Sequence, residues 1–199
     1  MAAIIEHEKR KHEILQKALD VFMDEGYEDV TFQKIADRCG ITRTTLYIYF
    51  KNKREIFLWS IKELTSNLEK KLQIVLKDDS ISSPEKIRTI MYQIFDCCKD
   101  NQKLFNVLLA YLIQIQKTGV DIKERVQRRV IRLRHLMTAT IIEGEKKGEL
   151  KVKSVKEANE MLYALIESVI FRLALFKQTS IEECYGTIDV AVDGMKVKI

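Results

Sequence analysis

The side chains of this chain best suited to chemistry crowd into one short stretch, ITRTTLYIYFKNKR, residues 41–54. It holds three threonines (Thr42, Thr44, Thr45), two tyrosines (Tyr47, Tyr49) and four cations (Arg43, Lys51, Lys53, Arg54). Guanidinium and ammonium groups make strong charge-assisted hydrogen bonds to oxyanions, and hydroxyls add weaker, directional ones. The stretch therefore suits binding of an anion-bearing surface rather than bond making. Catalysis has little support elsewhere. His7, His12 and His135 lack metal-ligand spacing, and His7 and His12 stand five apart, not the four that would share a helix face. Neither a glycine-rich phosphate loop nor a nucleophile motif occurs. No enzyme activity, metal or cofactor is expected.

The charge distribution reinforces this. The whole chain of 199 residues carries only a formal +5. Residues 31–54 hold Lys34, Arg38, Arg43, Lys51, Lys53 and Arg54 against Asp37 alone, while acidic residues outnumber basic ones in residues 1–30. A localised cationic patch with interleaved aromatic residues is a footprint of nucleic-acid binding.

Several elements must position this patch. One proline and seven glycines are few for a chain this long, and 46% hydrophobic with 32% charged residues is globular. An all-α fold follows. Ile14, Leu15, Ala18, Leu19 and Phe22 recur at helical spacing, predicting a first helix over about residues 8–24 that stops at Gly26. Thr31 is a natural N-cap for a second helix ending at Gly40, Thr42 for a third through Tyr49, and Asn52 with Glu55 for a fourth. Two short helices around a tight turn, packed on a longer one, make a helix-turn-helix, whose second helix enters the DNA major groove.

Beyond residue 56 the helices lengthen. Ser83-Pro84 is expected to open a fifth and Asp100 or Asn101 a sixth. A seventh carries the stripe Ile122, Val126, Val130, Leu133, Met137 and Ile141. Ser154 with Glu157 caps an eighth, and Ser180 with Glu183 a ninth. The layout is a DNA-binding head at residues 1–52 and a helical regulatory and dimerisation body at 53–199. No apolar run reaches the ~18–20 residues of a membrane span, and the start MAAIIEHEKRKH is not a signal peptide, so a cytoplasmic location without membrane contact is expected. Cys39, Cys97, Cys98 and Cys184 lack paired spacing and read as buried residues or free thiols, with the adjacent Cys97-Cys98 as a possible redox pair.

In order and spacing, IL-x2-AL-x2-F-x3-GY-x2-VT, then IA-x2-CGI, then T-x-TTLY-x-YF-x-NK, residues 14–56 resemble the TetR family of bacterial transcriptional regulators. The resemblance implies a DNA-binding regulator, most often a repressor, that works as a homodimer on a palindromic operator and is released by a small-molecule effector. It places Tyr47 and Lys53 at phosphates. Thr44 is a departure, since the family often has glycine or alanine there.

Leu46 and Phe50, four apart, should be core with Ile41, leaving Thr42, Arg43, Thr44, Thr45, Tyr47 and Tyr49 on the opposite surface. Thr31, at a helix N-terminus, suits a further phosphate. Arg43 is the expected base reader, through a bidentate contact to guanine. Thr44 could touch a thymine methyl, Gln33 could reach a base from the second helix, and Tyr49 suits either role. The run Lys9-Arg10-Lys11 reads equally as a phosphate-binding arm or a solvated end.

In the body, Met161, Leu162, Leu165, Val169, Leu173 and Phe176, with Ile181, Tyr185, Ile188 and Val192, are apolar enough to form a dimer face, and the resemblance implies a four-helix bundle from this pair of helices. Phe95, Tyr111, Gln114, His135, Tyr163 and Glu167 are the candidate ligand contacts, for an apolar or amphipathic effector. A helical protein–protein adaptor is the alternative, but it leaves the cationic, hydroxyl-rich stretch without a purpose.

Overall fold

The computed structural model describes residues 2–117, 122–176 and 181–197, with side chains from residue 5 and not for 122–130. Among them the chain forms α1 (Ala2–Asp29), α2 (Phe32–Cys39), α3 (Arg43–Tyr49), α4 (Lys53–Leu76), α5 (Ser83–Asp100), α6 (Gln102–Lys117), α7 (Ile122–Lys146), α8 (Val155–Leu175) and α9 (Glu182–Met195). One isolated antiparallel bridge, Leu150 to Lys196, accompanies them.

Local side-chain chemistry sets most boundaries in the head. The Thr31 hydroxyl accepts from Lys34 N at 3.2 Å, and the Thr42 hydroxyl accepts from Thr45 N at 3.1 Å. Each satisfies one of the backbone donors a helix start leaves open. Gly40 ends α2 at φ 67°, a left-handed conformation that costs glycine little. Asn52 Oδ1 accepts from Glu55 N at 2.9 Å, as its spacing predicts. The Glu55 carboxylate reaches back one residue further than a capping box requires, accepting from Lys51 N at 2.7 Å. α1 is longer than its periodicity predicts at both ends, and Gly26, at φ 82°, marks a kink in it rather than its end.

Two caps in the body differ from expectation. Ser82, not Ser83, caps α5, and Pro84 stands at the second helical residue. Two serines in a row offer the same hydroxyl, and here Ser83 is buried inside the first turn. Asn101 serves two helices: its side-chain amide donates to Cys97 O at 2.8 Å at the end of α5, while its carbonyl accepts from Phe105 N at 3.2 Å at the start of α6. α9 starts with Ile181 at the cap position and without a side-chain cap, and Ser180 lies outside the described residues. Ser154 caps α8 as expected, accepting from Glu157 N at 3.3 Å.

Packing forms two cores. The first joins α1 (Ile14, Leu15, Ala18, Phe22), α2 (Ile35, Ala36) and α3 (Leu46) to Ile56, Phe57 and Ile61 of α4 and to Leu104, Val107 and Tyr111 of α6. The second gathers Leu72 and Val75 of α4, Ile87 to Cys98 of α5, Met137 and Ile141 of α7, and the inner faces of α8 and α9. On the α7 stripe, Leu133 is partly buried, while the side chains of Ile122, Val126 and Val130 are outside the described set. α4 and α6 each contribute to both cores, so side-chain packing crosses the expected joint at residue 52.

Within the first core, Phe22, Tyr27, Phe57 and Tyr111 stack or meet edge-to-face at centroid distances between 4.5 and 5.9 Å. Such pairs add about 0.5–1.5 kcal/mol each beyond burial. This cluster seats the head on α6.

Candidate nucleic-acid interface

α3 has seven residues, and Leu46 alone is fully buried among them. Each helical residue turns about 100° from the last. With Leu46 pointing inward, Thr44 and Ile48 then project on the side opposite the core. Arg43 and Tyr47 lie on one flank, Thr45 and Tyr49 on the other. Burial follows this projection: Arg43, Thr44, Tyr47 and Ile48 are exposed, while Thr45 and Tyr49 are half-buried. Thr42 at the cap and Leu46 and Phe50 in the core hold this face in place.

The flanks are internally bonded. Arg43 Nη2 donates to the Tyr47 hydroxyl at 3.1 Å, and the guanidinium carbon is 5.6 Å from the ring centre. The Tyr47 ring also packs on Phe32 of α2, with centroids 4.5 Å apart. Arg43 and Tyr47 therefore act as one braced unit. Across the helix, Tyr49 stacks on His7 of α1 at 4.7 Å, so the first turns of α1 rest against the end of α3. Thr42 and Thr45 share a hydroxyl hydrogen bond of 2.8 Å. Gln33, on the exposed face of α2, donates its amide to Asp37 at 2.7 Å.

Lys53, expected at a phosphate, is bonded within the chain. Its ammonium donates to the carbonyls of Tyr27, Glu28 and Val30, each at 2.9 Å, and sits 4.8 Å from the Tyr27 ring centre. All three N–H donors of an ammonium are thereby used. In this conformation Lys53 closes the end of α1, and a phosphate there would have to displace one of those carbonyls. The basic run upstream is helical: Arg10 pairs with Glu13 at 2.8 Å, and Lys11 lies 4.3 Å over Trp59.

Sequence reasoning missed Ile48. It is 70% exposed, an unusual position for a large apolar side chain on a face otherwise made of hydroxyls and a guanidinium. Projection of α3 around Leu46 is the signal that points to it.

The candidate ligand contacts scatter. Phe95 and Tyr163 share the body core, where burial pushes the Tyr163 phenol up to about 12. The Arg134 guanidinium lies 4.2 Å over the Tyr163 ring. Tyr111 instead faces the head core and accepts from Arg54 Nε at 3.1 Å. Gln114, His135 and Glu167 are exposed.

The candidate dimer residues divide as well. Leu162, Val169, Leu173, Ile188 and Val192 are buried in the core of the single chain, so they are not free to meet a second copy. Ile181 is buried with them, while Leu165 and Tyr185 are half-buried and Phe176 is exposed. The outward apolar residues of α8 and its end are Met161, Phe171, Leu175 and Phe176, with Val190 on α9. The thiols of Cys97 and Cys98 are raised by burial, the latter more strongly, and a protonated thiol is a poor nucleophile. Among the described residues no helix is long and apolar enough to cross a membrane, and no cluster of three or more His, Cys, Asp or Glu is placed to hold a metal ion.

The chain resembles known proteins in sequence and in fold. Residues 14–58 match the family model described as "Bacterial regulatory proteins, tetR family". The chain is similar to the "Fatty acid metabolism regulator protein" of Bacillus subtilis, 21% identical over 159 residues covering 79% of this chain and 80% of that one. It is 25% identical over 101 residues, 51% of this chain and 46% of the relative, to the "HTH-type transcriptional activator FasR" of Mycolicibacterium smegmatis.

In fold it resembles a TetR transcription regulator from Haloarcula marismortui, with a TM-score of 0.82 at 20% identity, covering 96% of this chain and all of that one. FadR from Bacillus subtilis, solved in complex with stearoyl-CoA, gives a TM-score of 0.73 at 19% identity, covering 94% and 98%. The family match falls on the helices that carry the exposed α3 face. The head at residues 14–58 is thus of the tetR family of bacterial regulatory proteins, and the chain as a whole has the fold of TetR regulators, an N-terminal helix-turn-helix followed by a helical C-terminal body.

Proposed function

We propose that two copies of this chain bind a palindromic double-stranded DNA operator, repress the adjacent genes from within the cytoplasm, and release the site when a small-molecule effector enters the body. The observation that carries this reading is the braced, outward face of α3, on which Arg43, Thr44, Tyr47 and Ile48 are all exposed while Leu46 anchors the helix. Thr31 and Tyr47 are the proposed phosphate contacts, with Gln33 and Tyr49 beside them. A single seven-residue helix offers few contacts. Two such helices ~34–36 Å apart would reach successive major grooves, which is the reason for a dimer. The exposed residues Met161, Phe171, Leu175 and Phe176 are the surface proposed to join the copies.

The effector class proposed first is a long acyl chain on a polar carrier. Its support is the fatty-acid regulator among the relatives and the stearoyl-CoA held by a protein of the same fold. Such an effector acts only through a difference in affinity between the two head spacings. The test is direct. A duplex selected from a random library by the full-length chain is titrated with stearoyl-CoA, and transcription from a promoter carrying that site is followed. Release of the duplex and relief of repression are expected. Binding unchanged by acyl-CoA would remove this effector class, and transcription raised by the bound protein would replace repression with activation.

A further inference from the structure

We propose that Ile48, assisted by Thr44, reads thymine methyl groups in the operator, and that these two residues rather than Arg43 discriminate between bases. The inference rests on the DNA-binding reading above and adds which contacts carry sequence preference.

In a helix docked by its outer face, the residues opposite the core reach furthest into the groove, and those about 90° to either side approach its walls, where the phosphates are. Thr44 and Ile48 are four apart, opposite Leu46, and so form the ridge of α3. Arg43 is on the flank and already bonded to Tyr47 at 3.1 Å, with Tyr47 braced on Phe32. That places the Arg43–Tyr47 pair at a groove wall, where a guanidinium and a phenol meet the phosphate backbone.

Ridge chemistry decides the ligand. Ile48 is 70% exposed and offers only methyl and methylene groups, and Thr44 beside it offers a methyl and a hydroxyl. Of the four bases, thymine alone presents a methyl group in the major groove. Contact with it would shield Ile48 from water, whereas the neighbouring donor and acceptor edges would gain nothing from an isoleucine. The methyl of Thr44, exposed beside Ile48, extends the apolar strip towards the same partner.

The experiment uses the full-length chain and the duplex enriched from a random library. Each thymine is replaced in turn by deoxyuracil, which removes the methyl and leaves base pairing intact. Affinities are measured for the wild type, Ile48→Ala and Arg43→Ala, with thermal unfolding recorded for each. At one or more thymines in each half-site, uracil should weaken wild-type binding about fourfold, the worth of one buried methyl. The same replacement should leave Ile48→Ala unchanged. Arg43→Ala should bind all duplexes more weakly yet keep the full response to uracil.

An equal uracil response in the wild type and Ile48→Ala would overturn the proposal, as would the absence of any response in the wild type. Failure to bind any duplex would overturn both this inference and the reading beneath it. Binding that ignores uracil would overturn this one only. Ile48 has little packing to lose, so Ile48→Ala should unfold at the wild-type temperature.

Discussion

Arg54 Nε donates to the hydroxyl of Tyr111 at 3.1 Å, joining the first turn of α4 to the middle of α6. The Tyr111 ring also meets Tyr27 and Phe57 edge-to-face, at 4.5 and 5.0 Å. One side chain of the body thus completes the core of the head. Tyr111→Phe should keep the ring packing and lose the hydrogen bond, lowering stability by about 1 kcal/mol. Tyr111→Ala should also open a cavity and cost about 3–5 kcal/mol. Denaturant unfolding of the two variants separates these contributions. Equal losses would mean that the ring packing adds nothing.

Lys53 offers a contrast between two roles. If its ammonium closes α1 on the carbonyls of Tyr27, Glu28 and Val30, Lys53→Met should lower the unfolding midpoint without DNA present. About 1–2 kcal/mol is expected for a half-buried cation bonded to backbone carbonyls. A variant as stable as the wild type but weakened on DNA would return Lys53 to the phosphate role.

Gly144 sits where α7 passes the start of α5. A Cβ there would lie 2.5 Å from Leu150 Cδ1 and 2.9 Å from Ser83 Cβ. Both neighbours are buried. Alanine improves helix propensity by about 1 kcal/mol, but overpacking costs about 1–3 kcal/mol. Gly144→Ala should therefore be neutral to destabilising in thermal melts. A clear gain in stability would show that Leu150 can move aside.

Acid should loosen the same corner. Glu149 accepts from Ser83 N at 2.7 Å at the start of α5, and this bond holds its carboxyl below the ordinary value. A depressed carboxyl stabilises the fold above its unfolded value of about 4.5, and the contribution is lost as pH falls through the folded value. Glu143, depressed by Lys147 and Lys86, acts in the same direction. At pH 7 Glu149→Gln should melt below the wild type, and the gap should close as pH falls through the folded value. A gap independent of pH would assign the effect to packing.

Much of the head was legible in sequence because its boundaries are local. Thr31, Thr42 and Asn52 bond to backbone three residues away, and Gly40 adopts its left-handed turn alone, so each leaves a mark within a few positions. The bonds of Lys53 to the carbonyls closing α1 are not legible locally, because those partners lie 23 to 26 residues upstream. Tyr111 was assigned to an effector because nothing in α6 alone says which core it enters.

α8 was hardest to read. Apolar residues occur around most of its circumference, so periodicity does not distinguish Leu162, Val169 and Leu173, which are buried in the chain, from Met161, Phe171 and Phe176, which face outward. Ile48 was overlooked for the opposite reason: an isoleucine reads as core until its angle from Leu46 is counted.

The most direct test of the whole account is selection of duplexes from a random DNA library by the purified full-length chain at low and high salt. An enriched palindromic sequence is expected, with binding that weakens steeply as salt rises, because phosphate contacts release counterions. No enrichment, with no binding even at low salt, would contradict it.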